Sequence, residues 1–246
     1  MKLLLINPNT TQHITERMLV QSRVAAGTHA EVHGVTSSFG AAIIGSRTEN
    51  AIAAHAALDL AANHHAGFDA VILGVSMDTA LRPMREMLDI PVVGMAEAAL
   101  LTSCMLGGRI GCLTLGGHLL PLYEELTAAY GLQSRVACWR ALDLPGAYGP
   151  DVDIEVAHQI RAACETMVSD DGAEVLVLCG AVLTGYAAKI ATTLSVPVID
   201  CIEVATRQAI VLAEMRLGPQ RAGSYSRPTG RRLDGMGTEL TRWLAG

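Results

Sequence analysis

Short apolar runs alternate along the chain with longer Ala-rich segments of helical spacing. The runs are rich in Val, Ile and Leu and are largely apolar throughout rather than at every second position, which is typical of parallel strands buried on both faces. Strands are predicted at Lys2–Ile6, Glu31–Val35, Ala70–Leu73, Val92–Val93, Arg109–Leu113, Val175–Leu178 and Val198–Ile199. Helices are predicted at Thr11–Ala25, Asn50–Ala62, Ala80–Leu88, Leu120–Tyr130, Ile154–Val168 and Tyr186–Leu194. This alternation favours an α/β fold in which mostly parallel sheets are flanked by helices.

The sequence also contains an internal repeat. Residues Gly67–Gly74 match Gly172–Cys179, so the two copies lie 105 residues apart. Each copy leads through a helical segment to a strand that begins after a proline, Pro91 in the first copy and Pro197 in the second. The repeat predicts two pseudo-symmetric lobes that face each other, with the active site in the cleft between them.

The first lobe is predicted to contain residues 1–96 together with about 200–246, and the second lobe residues 97–199. In open sheets of parallel strands, ligands bind beyond the carboxyl ends of the strands. The loops that follow the strands of each lobe are therefore the expected location of the site.

Composition excludes several classes of protein. The chain has 246 residues, half of them hydrophobic, and 24 acidic against 18 basic residues give a net charge of −6. This is not a disordered chain, because its apolar content is high, and without a basic stripe interleaved with aromatic residues it is not expected to bind nucleic acid. Its apolar runs are strand-sized, so no membrane span is expected. Six widely spaced cysteines without a CxxC pair predict free thiols and a cytoplasmic location.

No cofactor or metal motif is present. The sequence has no GxGxxG fingerprint, no phosphate-binding GxxxxGK[ST] loop and no HExxH pair. His64 and His65 are adjacent, so they do not share a helical face as metal ligands do. The expected site therefore works without a cofactor and without a metal.

The loop after the first strand, Asn7–Thr11, carries two amides around a proline. Asn7 and Asn9 have two open interpretations, which are contact with a substrate and capping of the next helix, whereas Thr10 and Thr11 fit capping.

The loop after the third strand, Gly74–Thr79, combines glycine, a hydroxyl group and exposed backbone N–H groups. Gly74, Val75 and Ser76 are predicted to bind substrate at an anion or oxyanion site. The alternative is an ordinary helix start capped by Ser76 or Asp78.

The loop after the fifth strand, Thr114–His118, contains two glycines that allow a ligand to approach the backbone. Thr114 and Gly117 are predicted to contact substrate. His118 is a candidate acid or base, and the alternative is a solvated or structural histidine.

The loop after the repeated strand of the second lobe begins at Cys179 and continues with Gly180. A thiol at the start of a helix has a lowered pKa, which predicts a reactive thiolate at Cys179 and a substrate contact at Gly180. The alternative is a buried, inert cysteine.

Together these features are similar to the aspartate/glutamate/hydantoin racemase superfamily over nearly the whole chain. The opening Ile6–Thr10 resembles the start of hydantoin and allantoin racemases, and further matches follow in order at Glu125–Gly131, Ala141–Pro145, Asp171–Glu174 and Val196–Asp200. The resemblance implies two pseudo-symmetric α/β lobes, one cysteine on each side of the cleft, no cofactor and a homo-oligomer.

This chain departs from that pattern in its first lobe. Cys179 falls on the second cysteine, but the first position holds Gly74 or, with a shift of one residue, Val75, and neither side chain can transfer a proton. Two-base racemisation needs an acid or base on each face of the substrate. Gly74–Ser76 and Cys179–Thr184 are similar to the loops of arylmalonate decarboxylase, a relative with one catalytic cysteine.

The expectation that follows is an enzyme with one functional cysteine that acts on a small molecule, either a hydantoin-like cyclic ureide or thioureide or a small carboxylate. Hydrolase or lyase chemistry is favoured, with Cys179 as acid/base or nucleophile and Asp78 or His118 assisting. The alternative is a hydantoin- or allantoin-type racemase whose second base is Asp78, Ser76 or His118. A third possibility is a small-ligand binding protein without turnover.

Overall fold

The computed structural model describes residues 1–219 and 221–245. Within these residues the chain forms eight strands and nine α-helices. The strands are β1 (Lys2–Asn7), β2 (Glu31–Thr36), β3 (Ala70–Leu73), β4 (Val92–Gly94), β5 (Ile110–Leu115), β6 (Val136–Leu142), β7 (Val175–Leu178) and β8 (Val198–Asp200). The helices are α1 (Gln12–Ala26), α2 (Arg47–His64), α3 (Leu81–Met87), α4 (Met95–Ser103), α5 (Leu120–Ala129), α6 (Ile154–Ser169), α7 (Tyr186–Ile190), α8 (Cys201–Met215) and α9 (Thr238–Ala245).

The strands form two sheets of four strands with the same strand order. The first sheet has the order β2-β1-β3-β4 and the second β6-β5-β7-β8. All the strand pairs of both sheets are parallel. The predicted α/β fold of two pseudo-symmetric lobes is therefore confirmed, and the repeated strands β3 and β7 occupy the same place in their sheets.

Four elements were not predicted, and their sequences explain why. Strand β6 lies at a sheet edge and all seven of its residues are half-exposed, so it has no continuous buried run. Helices α4 and α8 begin directly after β4 and β8 without intervening loop residues, so strand and helix merge into one apolar segment. The short helix α9 follows a polar segment rich in Gly and Arg.

Helices α4 and α8 fill the space between the two sheets. Helix α4 packs against β7 and β8 of the second sheet, and α8 packs against β3 and β4 of the first sheet. One continuous core therefore includes Ile72 from the first sheet and Val177 from the second. The division into lobes near residues 96–97 and 199–200 stays a prediction.

The C-terminal segment crosses the first lobe. Arg227 donates a hydrogen bond to the Asp89 carboxylate over 2.9 Å, and its guanidinium lies 5.5 Å from the Trp243 ring centre. Helix α9 packs against α2. Across the residues that the structure describes, no helix is both long and apolar enough to span a membrane.

Candidate active site

A cavity of about 90 Å³ lies where the loops after β1, β3, β5 and β7 meet. Its polar lining is formed by Asn9, Ser76, Thr114, His118, Tyr123 and Tyr148. Its apolar and backbone lining is formed by Ile43, Ile44, Gly45, Gly74, Val75, Leu115, Gly116, Leu119, Gly180, Ala181 and Val182. Among these described residues there is no Lys, Arg, Asp or Glu, so the cavity is lined by amide, hydroxyl, imidazole and apolar groups.

A larger cavity of about 610 Å³ lies elsewhere, beside Asp89, Pro91, Leu212 and Tyr225. Pro91 immediately precedes β4, so this cavity is at the amino end of the sheet. Ligands of parallel sheets bind at the carboxyl ends, which is why the smaller cavity is the candidate site.

The two asparagines of the first loop have different roles. The Asn7 amide donates hydrogen bonds to Asn9 Oδ1 (3.0 Å) and Thr15 Oγ1 (2.9 Å), and its oxygen accepts one from the Asn9 N–H. Asn7 thus bonds its own loop and α1, and it does not line the cavity. Asn9 Oδ1 also accepts the Thr11 N–H, which leaves Asn9 Nδ2 without a partner in the described chain and available to a ligand.

Gly74 is the counterpart of Cys179 in the repeat, and the space that its side chain would need is occupied. A Cβ atom on Gly74 would lie 2.9 Å from Cε and 3.0 Å from Sδ of Met18, which is fully buried on α1. Atoms at that distance clash, so a thiol fits here only if Met18 moves. The two lobes therefore differ at this position in packing as well as in chemistry.

A chain of hydroxyl groups forms the floor of the cavity. Ser76 Oγ and the Tyr123 hydroxyl are 2.6 Å apart, and Tyr123 also bonds Thr114. The Tyr123 ring stacks on Trp139 with centres 4.7 Å apart. Burial raises the pKa of Tyr123, so its hydroxyl keeps its proton and remains available as a donor.

Asp78 does not line the cavity. Its carboxylate accepts hydrogen bonds from the backbone N–H groups of Ala96 (3.0 Å) and Glu97 (2.7 Å) in the first turn of α4, and from the Tyr130 hydroxyl (2.6 Å). Burial raises its pKa from 3.8 to about 7, although the three hydrogen bonds oppose that change. Asp78 therefore serves α4 as a cap from a distant loop.

His118 lies at the exposed rim of the cavity with a defined ring orientation. Its Nε2 donates a hydrogen bond to the Gly45 carbonyl over 2.5 Å. Gly45 is held in turn by Glu49 Oε2, which accepts the Gly45 N–H (2.8 Å) and belongs to the capping box formed by Ser46 and Glu49 at the start of α2. When the ring is neutral, the proton on Nε2 leaves a lone pair on Nδ1.

Cys179 is buried beneath the cavity floor, with 1% of its surface exposed. Its Sγ lies 4.0 Å from the Ser76 carbonyl oxygen, and the Cys201 thiol, which donates to the Leu178 carbonyl, is its neighbour. The contact with Cys201 lowers the pKa of Cys179, but burial, Cys112 and Asp78 outweigh it, and the pKa lies above that of a free thiol.

These surroundings do not favour the thiolate predicted for Cys179, and its catalytic role stays a prediction. Only a three-residue 3-10 turn, Ala181–Leu183, follows the junction, and the side chain faces the core rather than a helix N-terminus. A buried thiol without a nearby cation keeps its proton.

The structure brings most of the predicted site residues together. Those that line the cavity are Asn9, Gly74, Val75, Ser76, Thr114, His118 and Gly180. Those that do not line it are Asn7, Asp78, Gly117 and Cys179. No group of three or more His, Cys, Asp or Glu residues within the described ranges is arranged to hold a metal ion.

Sequence reasoning missed the lining residues that do not follow a strand. Ile43–Gly45 line the cavity because the first loop bonds the segment just before them. The Thr10 N–H donates to the Ala41 carbonyl, and the Thr11 hydroxyl donates to the Ala42 carbonyl. Tyr123 lies on the buried face of α5, which also carries the hydroxyl of Thr127. A buried tyrosine hydroxyl usually has a partner, and that rule is the signal that identifies it.

Known proteins of similar sequence or structure cover nearly the whole chain. Hydantoin racemase from Paenarthrobacter aurescens is 28% identical over 231 residues, which are 93% of this chain and 98% of that protein. The structure of allantoin racemase from Klebsiella pneumoniae superimposes with a TM-score of 0.92 at 27% identity and covers 98% of both chains.

The structure of unliganded arylmalonate decarboxylase is more distant. Its TM-score is 0.58 at 18% identity, with 86% of this chain and 92% of that chain covered, so it shares the fold alone. The expectation of a hydrolase or lyase thus gains no support from these comparisons, and the racemase alternative fits them better.

The family model described as Asp/Glu/Hydantoin racemase matches residues 3–209. This range includes both sheets, apart from Lys2 at the start of β1, and every residue that lines the cavity. The chain belongs to the Asp/Glu/hydantoin racemase family.

Proposed function

We propose that this protein is an isomerase that inverts a carbon stereocentre beside a carbonyl group in a hydantoin-like cyclic ureide. The observation that carries the proposal is the chemistry of the cavity lining, which has amide, hydroxyl and backbone groups but no Lys or Arg. Neutral donors and acceptors match the N–H and C=O groups of a ureide ring. A carboxylate substrate would lack a cation to balance its charge.

We assign the proton transfer to two groups that lie at different depths of the site. His118 is at the rim, where no described residue bonds its Nδ1, and the protonated thiol of Cys179 lies beneath the floor. Because Cys179 does not line the cavity, the proposal requires the floor beside Gly180 to open when the ring binds, so that each face of the ring meets one group. This arrangement replaces the cysteine pair of a two-thiol site by an imidazole and one thiol.

The proposed step conserves protons and electrons. The C–H bond at the stereocentre breaks, the proton passes to His118 Nδ1, and the electron pair spreads onto the adjacent carbonyl oxygen, which accepts a hydrogen bond from Asn9 Nδ2. The Cys179 thiol then gives its proton to the opposite face of the carbon. The resulting imidazolium and thiolate process the other enantiomer or regain the starting state by proton exchange with water.

The test uses single enantiomers of 5-methyl-, 5-isopropyl- and 5-benzylhydantoin and of allantoin in D2O. We expect loss of circular dichroism, incorporation of one deuterium at the stereocentre and an intact ring by mass spectrometry. A control without protein is needed, because the proton beside the carbonyl exchanges slowly by itself. Ring opening or loss of CO2 would contradict the proposal, and so would binding without exchange.

Three variants separate the roles. His118→Gln keeps an N–H donor for the Gly45 carbonyl but removes the Nδ1 base, and Cys179→Ala removes the thiol; each is expected to lower kcat by about 10²-fold or more. Cys164→Ala is the matched control, because Cys164 is equally buried but lies in the separate core of the second lobe. Full activity of Cys179→Ala would contradict the role of the thiol.

The cytoplasmic location and the homo-oligomer expected from the sequence stay predictions.

A further inference from the structure

Arg17, on α1, is a buried cation without a carboxylate partner. Only 8% of its surface is exposed, and none of the described Asp or Glu side chains lies within ion-pair distance of it. Its Nη1 donates to the carbonyls of Ala147 (3.0 Å) and Val182 (2.8 Å), and its Nη2 to the Asp151 carbonyl (2.5 Å). Its buried Nε has no hydrogen-bond partner among the residues that the structure describes. Such a group is costly to bury, which points to a role beyond packing.

All three acceptors belong to loops of the second lobe that reach the cavity. Val182 lines the cavity directly, and Tyr148, which lies between Ala147 and Asp151 in sequence, lines it as well. Helix α1 follows β1 of the first sheet. The guanidinium of Arg17 therefore joins one lobe to two separate loops of the other, at the wall of the candidate site.

Two neighbouring contacts support the same connection. His13, one turn earlier on α1, donates from Nε2 to the Tyr148 carbonyl over 2.9 Å. The Arg17 guanidinium carbon lies 5.4 Å from the centre of the Tyr186 ring. The Tyr186 hydroxyl in turn accepts a hydrogen bond from the Asp153 N–H. A cation over an aromatic face is stabilised, so the guanidinium is held in place on its second-lobe side.

We propose that Arg17 is a positioning residue that clamps the 147–151 segment and Val182 against α1 and so fixes the wall of the cavity. A guanidinium suits this task because its rigid fork bonds several carbonyls at once, whereas the ammonium of lysine is a point charge on a flexible stem. The role of the clamp in substrate binding rests on the proposed function, but the clamp itself does not.

Hydrogen exchange tests the clamp without any substrate. In Arg17→Met we expect the amides of residues 145–151 and 181–184 to exchange about tenfold faster or more, while the strands of both sheets keep their protection. Arg23→Met is the matched control: Arg23 is an exposed arginine on the same helix whose guanidinium bonds the Val32 carbonyl within the first lobe. It should leave both segments unchanged.

Kinetics test the consequence for the site. Because a loosened wall weakens binding more than proton transfer, Arg17→Met should raise KM by about tenfold or more and change kcat less. Arg17→Lys should raise KM less than Arg17→Met does, because lysine keeps the charge, but it should not reach the wild-type KM, because lysine lacks the planar fork. If the wild-type protein turns over no hydantoin, the proposed function is contradicted but the clamp is not. The exchange experiment then still tests the clamp.

Two results would overturn the proposal. One is unchanged exchange in both segments of Arg17→Met, and the other is a uniform rise across all strands, which marks general destabilisation. If Arg17→Met does not fold, His13→Ala provides the test. This variant removes the bond to the Tyr148 carbonyl, so amide exchange should become faster at 145–151 but not at 181–184. An equal change in exchange rate in both segments would contradict the clamp.

Discussion

Helices α4 and α8 begin at equivalent places beneath the cleft, but their first turns are capped in different ways. In the second lobe, Asp200 directly precedes α8, and its carboxylate accepts two N–H groups of the first turn. In the first lobe, the residue before α4 is Gly94, and the carboxylate of Asp78 arrives from the loop after β3 to accept the equivalent N–H groups. A Cβ on Gly94 would lie 2.5 Å from the Asp78 carboxylate carbon.

The same physical need is therefore met in the two lobes by residues at unrelated sequence positions. Each helix leaves N–H groups without partners at its start, and each buried start needs an acceptor. Once Asp78 supplies it for α4, its oxygens are no longer available to a substrate. The position of Asp78 in a loop after a strand predicted an acid or base, whereas its hydrogen bonds make it the cap of α4.

The two caps should make stability depend on pH, and the change expected for Asp78 is large. The pKa of Asp78 is raised from 3.8 to about 7 by burial, so its contribution to stability is complete below pH 4 and is lost as the pH rises through 7. The stability of the wild type relative to Asp78→Asn should therefore fall by on the order of 4 kcal/mol between pH 4 and pH 8.

Urea unfolding of both proteins across that range measures this change. Asp200→Asn should show a change of the same sign, because burial also raises the pKa of Asp200. A difference between wild type and Asp78→Asn that does not vary with pH would contradict the prediction.

Gly94→Ala is the next largest change. Its Cβ would meet the Asp78 carboxylate at 2.5 Å and Leu81 Cδ2 at 2.8 Å, so the cap must move. We expect a loss of about 3 kcal/mol in the free energy of unfolding, from overpacking and from the displaced cap. Denaturant unfolding at pH 7 measures it, and a loss below about 0.5 kcal/mol, typical of an ordinary surface site, would show that the cap is not closely held.

Moving the cap tests whether the two lobes are interchangeable. Asp78→Ala removes the acceptor of two N–H groups and of Tyr130, and should cost about 2 kcal/mol. Adding Gly94→Asp in that background places a carboxylate where Asp200 stands in the second lobe, and should recover about 1 kcal/mol. Gly94→Ala in the same background is the control, since it adds a Cβ without an acceptor. Equal stability of the two double variants would mean that the cap cannot be transferred.

The smallest effect concerns the turn before α3 and its counterpart before α7. Ala80 has a φ of 65° and Gly185, its equivalent in the repeat, a φ of 88°. Only glycine adopts this region without strain, so Ala80→Gly should stabilise the protein by about 0.5–1 kcal/mol and Gly185→Ala should destabilise it by about 1 kcal/mol. Thermal unfolding measures both, and shifts of the same sign would contradict the argument.

Much of the fold was predictable because strand burial leaves a local signal. The buried runs at β3 and β7 and their repeat led to two equivalent parallel sheets. Strand β6 and helices α4 and α8 escaped prediction, since an edge strand lacks a continuous apolar run and a helix that follows a strand directly has no loop to mark it.

The candidate site was predictable in its location and only partly in its chemistry. The rule that ligands bind at the carboxyl ends of parallel strands led to Asn9, Ser76, Thr114 and His118, all of which line the cavity. Tyr148 lines it because α1 holds its loop across the cleft, a contact between residues 135 positions apart that leaves no local pattern.

The α/β class, the repeat and the loops where a site must lie can be predicted from the sequence, because these features depend on apolar periodicity and on residues close together in the chain. Which groups the polar side chains of those loops contact depends on the tertiary structure. It directed Asn9 to the cavity and Asn7 into its own loop, Asp78 to the start of α4, and Cys179 into the core. Hydrogen bonding and burial act between atoms that folding brings together, so the chemical state of a side chain depends on neighbours that the sequence does not place beside it.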